Sequence, residues 1–310
     1  MHRRITRRDN EDMRLLPIWL RTLAKQSKAI AGLYGNVSWK IHLFKDWWGT
    51  RVWKRTTEVV TPSGLKLITG FHPAYQLMRE GKFEVEETAL ITRLLGQIDV
   101  FVDIGANLGY YTCLALQHGK RVVAVEPQQQ NLQCLYQNIM VNGYEEQAEV
   151  FPLALSAKPG LLTLFGASGP SASLIKGWAG YSSTHKQTVP ASTLDNILGV
   201  RFAGMQLFIK VDVEGAEYQV LEGARATMAR TRKPIWLLEI FFQRFHPSGA
   251  NPDFHRIFEL FWENGYHAYT ATEFPRLVTP QEISNQSHNK SSDHSTFNYL
   301  FAAGNIKIVH

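Results

Sequence analysis

Short apolar runs alternate with amphipathic stretches along most of the chain, and this alternation predicts the secondary structure. Runs of strand length lie at 98–104, 122–125, 148–155, 205–213 and 234–240. Segments with apolar residues at helical spacing separate several of these runs. Strands that alternate with helices of about 10–15 residues form parallel, doubly wound sheets. The pattern therefore predicts the α/β class.

The end of the chain breaks this alternation. A helix over Phe254–Glu263 precedes a strand near Tyr266–Thr270, the polar stretch Ser284–Ser295 reads as a loop, and Phe297–Ala303 reads as a closing strand. Two strands joined only by a loop predict an antiparallel edge. We expect a doubly wound, mostly parallel sheet of seven strands.

Three further segments fill in the predicted elements. Pro127 starts a helix that ends near Asn142, and a helix that opens at Glu214 runs to Ala224. Gly166–Lys186 is rich in Ser, Gly and Ala. That segment is read either as a mobile loop over the site or as a surface insertion without a role.

The N-terminal part differs in texture. Residues 1–98 form a predicted helical extension, with a hairpin over 57–70 and a helix over Phe83–Leu95, and residues 99–310 form the main domain. Five of the eight tryptophans lie within residues 1–55 among basic residues. This stretch reads as a cap that packs on the main domain or on a second subunit. The alternative is a basic helix at a membrane surface.

A glycine motif follows the first strand of the main domain. Asp103-Ile104-Gly105-Ala106-Asn107-Leu108-Gly109 joins the strand to a helix start and exposes backbone N–H groups to a ligand. Asn107 stands where a dinucleotide fingerprint has its middle glycine, which counts against NAD. An acid two residues before the first glycine suits a cationic ligand such as S-adenosylmethionine. The alternative is a turn that needs glycine only to bend.

Acids stand at four predicted strand ends, where ligands bind in such sheets. They are Asp103, Glu126, Asp212 and Glu239. Glu126 ends the second strand and suits the two hydroxyls of an adenosine ribose. Burying unpaired acids is costly, so their place at the ligand end indicates a site.

The chain resembles the FkbM family of methyltransferases over about residues 99–270. The resemblance rests on Val102–Tyr110, Val125-Glu126-Pro127, Thr193-Leu194-Asp195, Ile209–Glu217 and Leu238-Glu239. It implies a Rossmann-like class I methyltransferase fold and O-methylation of a glycan or another small natural product. Its cofactor would be S-adenosylmethionine.

The resemblance also assigns residues. Those expected to line the methionine part of the cofactor are Asp103, Gly105, Ala106, Asn107 and Gly109. Glu126 would take the ribose hydroxyls, and Asn142 would lie near the adenine. Those facing the acceptor would be Lys210, Asp212, Glu214 and Glu239.

A hydroxyl acceptor needs a base or a metal. Asp212 is the first candidate base and Glu239 the second, with His246 as a third that reads more simply as a surface histidine. Asp212, Glu214 and Glu239 offer hard oxygen ligands for Mg²⁺. The sequence lacks a full ligand set, so we expect no metal.

The distribution of charge and the two cysteines reduce the number of function classes that the sequence allows. The net charge is +6, but residues 1–55 carry +9 and the remainder carries −3. A main domain of this charge argues against a nucleic-acid methyltransferase. A non-catalytic binding module is the remaining alternative, and the intact motif argues against it. Cys113 and Cys134 read as buried free thiols.

Two absences from the sequence bear on location and partners. The start of the chain lacks the apolar core of a secretion signal, and no apolar run reaches about 18 residues. We therefore expect a cytoplasmic protein. Its expected partner is a small-molecule or glycan acceptor, and the N-terminal extension would supply any contact with a membrane surface or a second subunit.

Overall fold

The computed structural model describes residues 57–69, 74–166, 172–180, 185–243, 245–288 and 297–304. The strands are β1 (Thr57–Val60), β2 (Lys66–Thr69), β3 (Val100–Ile104), β4 (Arg121–Val125), β5 (Ala148–Phe151), β6 (Ala154–Leu155), β7 (Gly160–Phe165), β8 (Lys186–Ser192), β9 (Leu207–Val211), β10 (Ile235–Glu239), β11 (His267–Thr270), β12 (Leu277–Val278) and β13 (Asn298–Ala302). The α-helices are α1 (Ala74–Glu80), α2 (Val85–Leu95), α3 (Tyr110–Gln117), α4 (Gln129–Val141), α5 (Leu194–Leu198), α6 (Glu217–Glu222), α7 (Arg225–Met228), α8 (Phe254–Glu263) and α9 (Pro280–His288). Short 3₁₀ turns lie at Glu145–Gln147 and Trp178–Gly180.

The main sheet confirms the predicted fold class. Its strand order is β12-β11-β13-β10-β9-β3-β4-β5. The strands β10, β9, β3, β4 and β5 run parallel, whereas β13 lies antiparallel between β10 and β11. The predicted seven strands are present, and the short β12 adds an eighth at the antiparallel edge.

The apolar runs form strands because the sheet is covered on both faces. All five residues of β3 and of β9 are buried. One face carries a cluster that includes Val102, Ile209 and the α8 residue Phe258. The other face carries a cluster that includes Phe101 and Phe208. Strands buried on both faces read as continuous rather than alternating apolar runs.

The hairpin of β1 and β2 packs on the second of these faces. Val59 and Leu67 belong to the same apolar cluster as Leu90 of α2. Asn138 of α4 also accepts a hydrogen bond from the backbone N–H of Ile68. The predicted extension over residues 1–55 lies outside the described residues. The boundary between 1–98 and 99–310 therefore stays a prediction.

Two sequence expectations about strands were wrong. The run 148–155 is not one strand, because β5 ends at Phe151 and β6 joins a separate sheet with β8 and β7. Pro152 lies between them and cannot donate to a sheet ladder. The loop expected over Gly166–Lys186 was not followed by a predicted strand, but residues 186–192 form β8, in which Val189 and Ala191 are buried.

The expected loop over Ser284–Ser295 is partly wrong. Its first five residues belong to α9, and residues 289–296 lie outside the described part. Thr279 and Glu282 form a capping box, in which Glu282 Oε2 accepts from the Thr279 N–H at 2.8 Å. Ile283 is buried and anchors the helix. Among the described residues, no helix combines the length and apolar character needed to cross a bilayer.

Candidate active site

The turn after β3 brings the glycine motif against a second strand end. Gly105, Asn107 and Gly109 all adopt positive φ angles, of 80°, 52° and 90°. A Cβ atom on Gly105 would lie 1.8 Å from the carbonyl oxygen of Asp212. A Cβ on Gly109 would lie 2.4 Å from Leu135 of α4. The glycines thus permit both the bend and the close packing of neighbouring elements.

Glu126 ties the end of β4 to this turn. Its Oε2 accepts from the N–H of Asn107 at 2.8 Å, and its Oε1 accepts from the N–H of Gln128 at 2.8 Å. The backbone N–H of Ala106 also donates to the carbonyl oxygen of Val125, so a further hydrogen bond joins the glycine turn to the end of β4. Burial raises the pKa of Glu126 to about 7. A carboxylate oxygen has lone pairs beyond one hydrogen bond, so Glu126 can still accept from ligand hydroxyls.

Asp103 points into the layer between the sheet and α3. Its Oδ2 accepts from Thr112 Oγ1 at 2.6 Å, and the residue is 1% exposed. It is paired in register with Lys210 of β9. Burial raises the pKa of Asp103, although the charge of Lys210 acts in the opposite direction. Asp103 is therefore buried between the sheet and α3, and its contact with the methionine part of a cofactor stays a prediction.

Lys210 is buried among carboxylates. Its Nζ lies 2.9 Å from Asp212 Oδ2 and 3.6 Å from Glu87 Oε1. The ammonium also lies 5.0 Å from the ring centroid of Tyr111. Burial lowers the pKa of Lys210, but Asp212 and Glu87 outweigh this effect and raise it well above its usual value. Lys210 therefore stays charged.

Glu87 was not singled out from the sequence. In the sequence it is one of three acids, with Glu84 and Glu86, at the start of the Phe83–Leu95 helix, where the helix dipole favours negative charge. In the structure it is buried, and its Oε2 accepts from Asn298 Nδ2 at 2.8 Å. Burial raises its pKa to about 7. The signal that could have found it is an acid on the apolar stripe of the helix, three residues before Leu90 and four before Ile91.

Tyr111 connects the same cluster to the start of α2. Its hydroxyl donates to Glu84 Oε2 at 2.6 Å. Tyr111 is 6% exposed, and burial raises its pKa well above the usual value. Its ring therefore forms an uncharged wall beside Lys210.

Glu239 lies at the end of β10, half-buried and paired in register with Asn298. Burial and then the charge of Asp212 raise its pKa well above the usual value, while Lys210 opposes this. The structure thus brings Lys210, Asp212 and Glu239 into one electrostatic group. Asp212 is its more open member, with 31% of its side chain exposed.

Glu214 faces a segment that sequence reasoning treated only as a loop. It has a positive φ of 54°, and α6 begins three residues later than predicted, at Glu217. Trp178 Nε1 donates to Glu214 Oε2 at 2.6 Å, and Ser173 Oγ donates to its carbonyl oxygen at 2.6 Å. A Cβ on Gly215 would lie 2.4 Å from the Trp178 ring. The described part of the loop is therefore packed onto the strand-end motif.

His246 lies on the other side of the same tryptophan. The two ring centroids are 6.1 Å apart, and His246 Nδ1 lies 2.6 Å from Ser248 Oγ. Burial lowers the pKa of His246. Its role as a base stays a prediction.

Asn142 is held by the N-terminal hairpin. Its Nδ2 donates to the carbonyls of Lys66 and Asn138, and its Oδ1 accepts from the N–H of Lys66 at 3.0 Å. The described residues do not show it in contact with the cluster around Lys210. Its place near an adenine stays a prediction.

The arrangement as a whole holds more carboxyl groups than cationic groups. Within the described residues, Lys210 interacts electrostatically with five carboxyl groups, those of Glu84, Glu87, Asp103, Asp212 and Glu239. The described part of the chain contains no group of three or more His, Cys, Asp or Glu residues that could hold a metal ion. The carboxyl ends of these strands can therefore bind a cationic ligand beside the glycine turn, and a carboxylate there can take a proton from a hydroxyl.

Comparison with known proteins places this site in a family. The family profile described as the methyltransferase FkbM domain matches residues 103–268, which include the glycine motif and Lys210–Glu239. Among curated proteins, no significant match to the sequence was found.

The solved structures that match this chain include three methyltransferases. The methyltransferase FkbM from Methylobacillus flagellatus KT is 18% identical, with 66% of this chain and 44% of that chain covered and a TM-score of 0.41. The O-methyltransferase from Bacillus cereus in complex with SAH is 13% identical, with 69% and 78% covered and a TM-score of 0.37. The precorrin-6y C5,15-methyltransferase from Geobacter metallireducens GS-15 is 12% identical, with 72% and 87% covered and a TM-score of 0.36.

Proposed function

Because the chain belongs to the FkbM methyltransferase family, we propose that it transfers a methyl group from S-adenosylmethionine to a hydroxyl on a glycan or another small natural product. The observation that carries this proposal is the group of carboxylates at the carboxyl ends of β3, β9 and β10, next to the glycine turn. A site of this charge attracts a sulfonium and an amino group.

The residues present fit S-adenosylmethionine in two respects. Gly105 has no Cβ, so the turn packs directly on the backbone of Asp212 and brings the glycine motif against the end of β9. Glu126 is buried and is held only by N–H donors from Asn107, Gln128 and Asn131 among the described residues. Such a carboxylate suits hydroxyl donors such as those of a ribose.

S-adenosylmethionine supplies an electrophilic methyl group on a positively charged sulfur. Acids that attract this charge favour the bound state at least as much as the transition state. The chain must therefore gain rate by aligning the acceptor and by removing its proton. Both tasks fall to side chains at the strand ends.

Asp212 is the first candidate base. Its side chain is partly exposed while its Oδ2 is held by Lys210, so the remaining oxygen is open to a hydroxyl. Glu239 is the second candidate, because its raised pKa makes it the stronger base once it is ionised. Lys210 orients Asp212 and keeps a positive charge beside it.

The kind of acceptor rests on the family rather than on the site. Support for a small acceptor over nucleic acid comes from the charge of −3 over residues 56–310. A domain that tracks a phosphate backbone would carry a basic face. The proposed acceptor is therefore a hydroxyl-bearing small molecule or glycan.

The direct test replaces the candidate base. We expect Asp212→Asn to lower methyl transfer from labelled S-adenosylmethionine by about 10²–10⁴-fold, the usual contribution of a general base. Affinity for the cofactor should change only a few-fold. Glu259→Gln, on the exposed face of α8, is the matched control that removes a carboxylate elsewhere. Full turnover by Asp212→Asn would refute the assignment of the base.

A further inference from the structure

Glu87 is a buried acid that lies outside the region that the family profile matches. That region begins at residue 103, whereas Glu87 comes from α2. Its side chain is 8% exposed and reaches the same ammonium that holds Asp212. Burying a charge without a partner is costly, so the burial of Glu87 calls for a structural or functional explanation.

The two carboxylates share Lys210 unequally. The Nζ atom lies within hydrogen-bond distance of Asp212 Oδ2, at 2.9 Å, but 3.6 Å from Glu87 Oε1. Within the described residues, Glu87 Oε1 is buried and makes no hydrogen bond. Its other oxygen is fixed by Asn298. The unpaired oxygen is therefore aimed at the ammonium and can receive it after a small movement of the lysine side chain.

We propose that Glu87 is a positioning residue for the methyl transfer, which competes with Asp212 for the Lys210 ammonium and so makes Asp212 a better base. This inference rests on the proposed function. It extends the active site to α2.

The electrostatic surroundings determine how this competition varies with pH. The groups that face Glu87 are Lys210 and Asp212 from the β9 end, Glu84 before α2, Tyr111 from α3, Asn298 from β13, and Glu239 from β10. Burial raises the pKa of Glu87 to about 7. Below that pH Glu87 is neutral and the Lys210 ammonium pairs with Asp212 alone. This pairing stabilises the Asp212 carboxylate and so weakens Asp212 as a base. Above it Glu87 is charged and draws the ammonium away.

The step balances with these groups. The acceptor hydroxyl gives its proton to Asp212, the new oxygen–methyl bond forms as the sulfur–methyl bond breaks, and the neutral sulfur product leaves. Protonated Asp212 no longer holds the ammonium, and charged Glu87 then pairs with Lys210. Glu87 itself takes no proton from the acceptor.

A spectroscopic test needs no acceptor. Protein labelled with ¹³C at the aspartate carboxyl carbons is titrated, and the Asp212 signal is assigned with Asp212→Asn. We expect the Asp212 signal to report the titration of Glu87 through the shared ammonium, with an inflection near pH 7, at the pKa of Glu87. Glu87→Gln should abolish this inflection, whereas Glu86→Gln, an exposed neighbour on the same helix, should retain it. An inflection that survives in Glu87→Gln, or its absence from the wild type, would overturn the proposal.

A second variant keeps the proposal testable if Glu87→Gln does not fold. Glu87→Asp keeps the charge but withdraws the carboxylate by roughly one carbon–carbon bond, about 1.5 Å. The inflection of the Asp212 signal near pH 7 should then shrink without vanishing. In wild-type protein labelled at the glutamate carboxyl carbons, the Glu87 signal must titrate at the same pH as that inflection. A different pH would also overturn the proposal.

Kinetics separate this inference from the proposed function. The ratio of wild-type to Glu87→Gln turnover should be near one well below the pKa of about 7 and should rise well above it, to about tenfold. A purely structural role would give a ratio that does not change with pH, and that result would contradict the proposal. If the wild type transfers no methyl group to any hydroxyl tested, the proposed function is refuted. The ¹³C titration still tests whether Glu87 is coupled to Asp212.

Discussion

Gly105→Ala tests the close approach of the glycine turn to the end of β9. The new Cβ would lie 1.8 Å from the carbonyl oxygen of Asp212, and the backbone φ is 80°. Gly143→Ala is a matched control, because its φ is 73° but nothing lies within 4 Å of a Cβ there. The control carries the backbone strain alone, and Gly105→Ala carries the strain and the clash.

The difference between the two variants has an expected size. A left-handed backbone costs an L-residue about 1–2 kcal/mol, which applies to both positions. Forcing an extra methyl group into a packed site costs about 1–3 kcal/mol more, which applies only to Gly105. For a domain of this size, each kcal/mol lowers Tm by about 2–4 °C. Gly105→Ala should therefore melt about 2–12 °C below Gly143→Ala.

Thermal unfolding and calorimetry measure the result. Gly105→Ala should also weaken binding of S-adenosylmethionine, because the turn must move away from Asp212, while Gly143→Ala should bind normally. Equal melting temperatures and equal affinities for the two variants would refute the argument that Gly105 is required by the packing of the two strand ends.

Four further predictions follow from the described contacts. Trp178→Phe keeps an aromatic ring but removes the N–H that bonds Glu214 at 2.6 Å and part of a side chain that is only 2% exposed, so both turnover and Tm should fall; unchanged turnover would argue against a role for this contact. Lys210→Met leaves the buried carboxylate of Glu87 and the partly exposed one of Asp212 without their cation, so urea unfolding should show a loss of about 3–5 kcal/mol in the free energy of unfolding, and a loss below 1 kcal/mol would be the contrary result. The raised pKa of Glu126, about 7, means that its charged form is lost as pH falls through 7, so calorimetry should show weaker cofactor binding below that pH and no such trend in Glu126→Gln. Deletion of residues 1–50 should leave cofactor binding intact, and a folded but non-binding truncation would contradict the reading of this stretch as a cap.

The sequence predicted the elements that depend on local patterning. The Phe254–Glu263 helix has the predicted bounds, because its apolar stripe is continuous. The glycine turn and the acid at the end of β4 were also found, since both lie in one strand–turn–helix unit. Elements whose identity depends on tertiary contacts were missed. The strand β8 is an example, because it forms by pairing with β7.

The candidate site was predicted only on the side that the sheet supplies. Strand ends place Lys210, Asp212 and Glu239 at one edge by the rule for parallel sheets. Glu87 and Trp178 reach the same edge from a helix before the motif and from the loop between β7 and β8. Nothing local in the sequence fixes where those segments fold back. Their role in the site therefore became visible only with the structure.

The central claim is that the carboxyl ends of β3, β9 and β10, beside the glycine turn, bind a positively charged sulfur nucleoside. Isothermal titration calorimetry with S-adenosylmethionine and with NAD, at a pH above the pKa of Glu126, tests it most directly. We expect S-adenosylmethionine to bind at one site and NAD to bind far more weakly. Preferred binding of NAD, or no binding of S-adenosylmethionine by the folded protein, would contradict the claim.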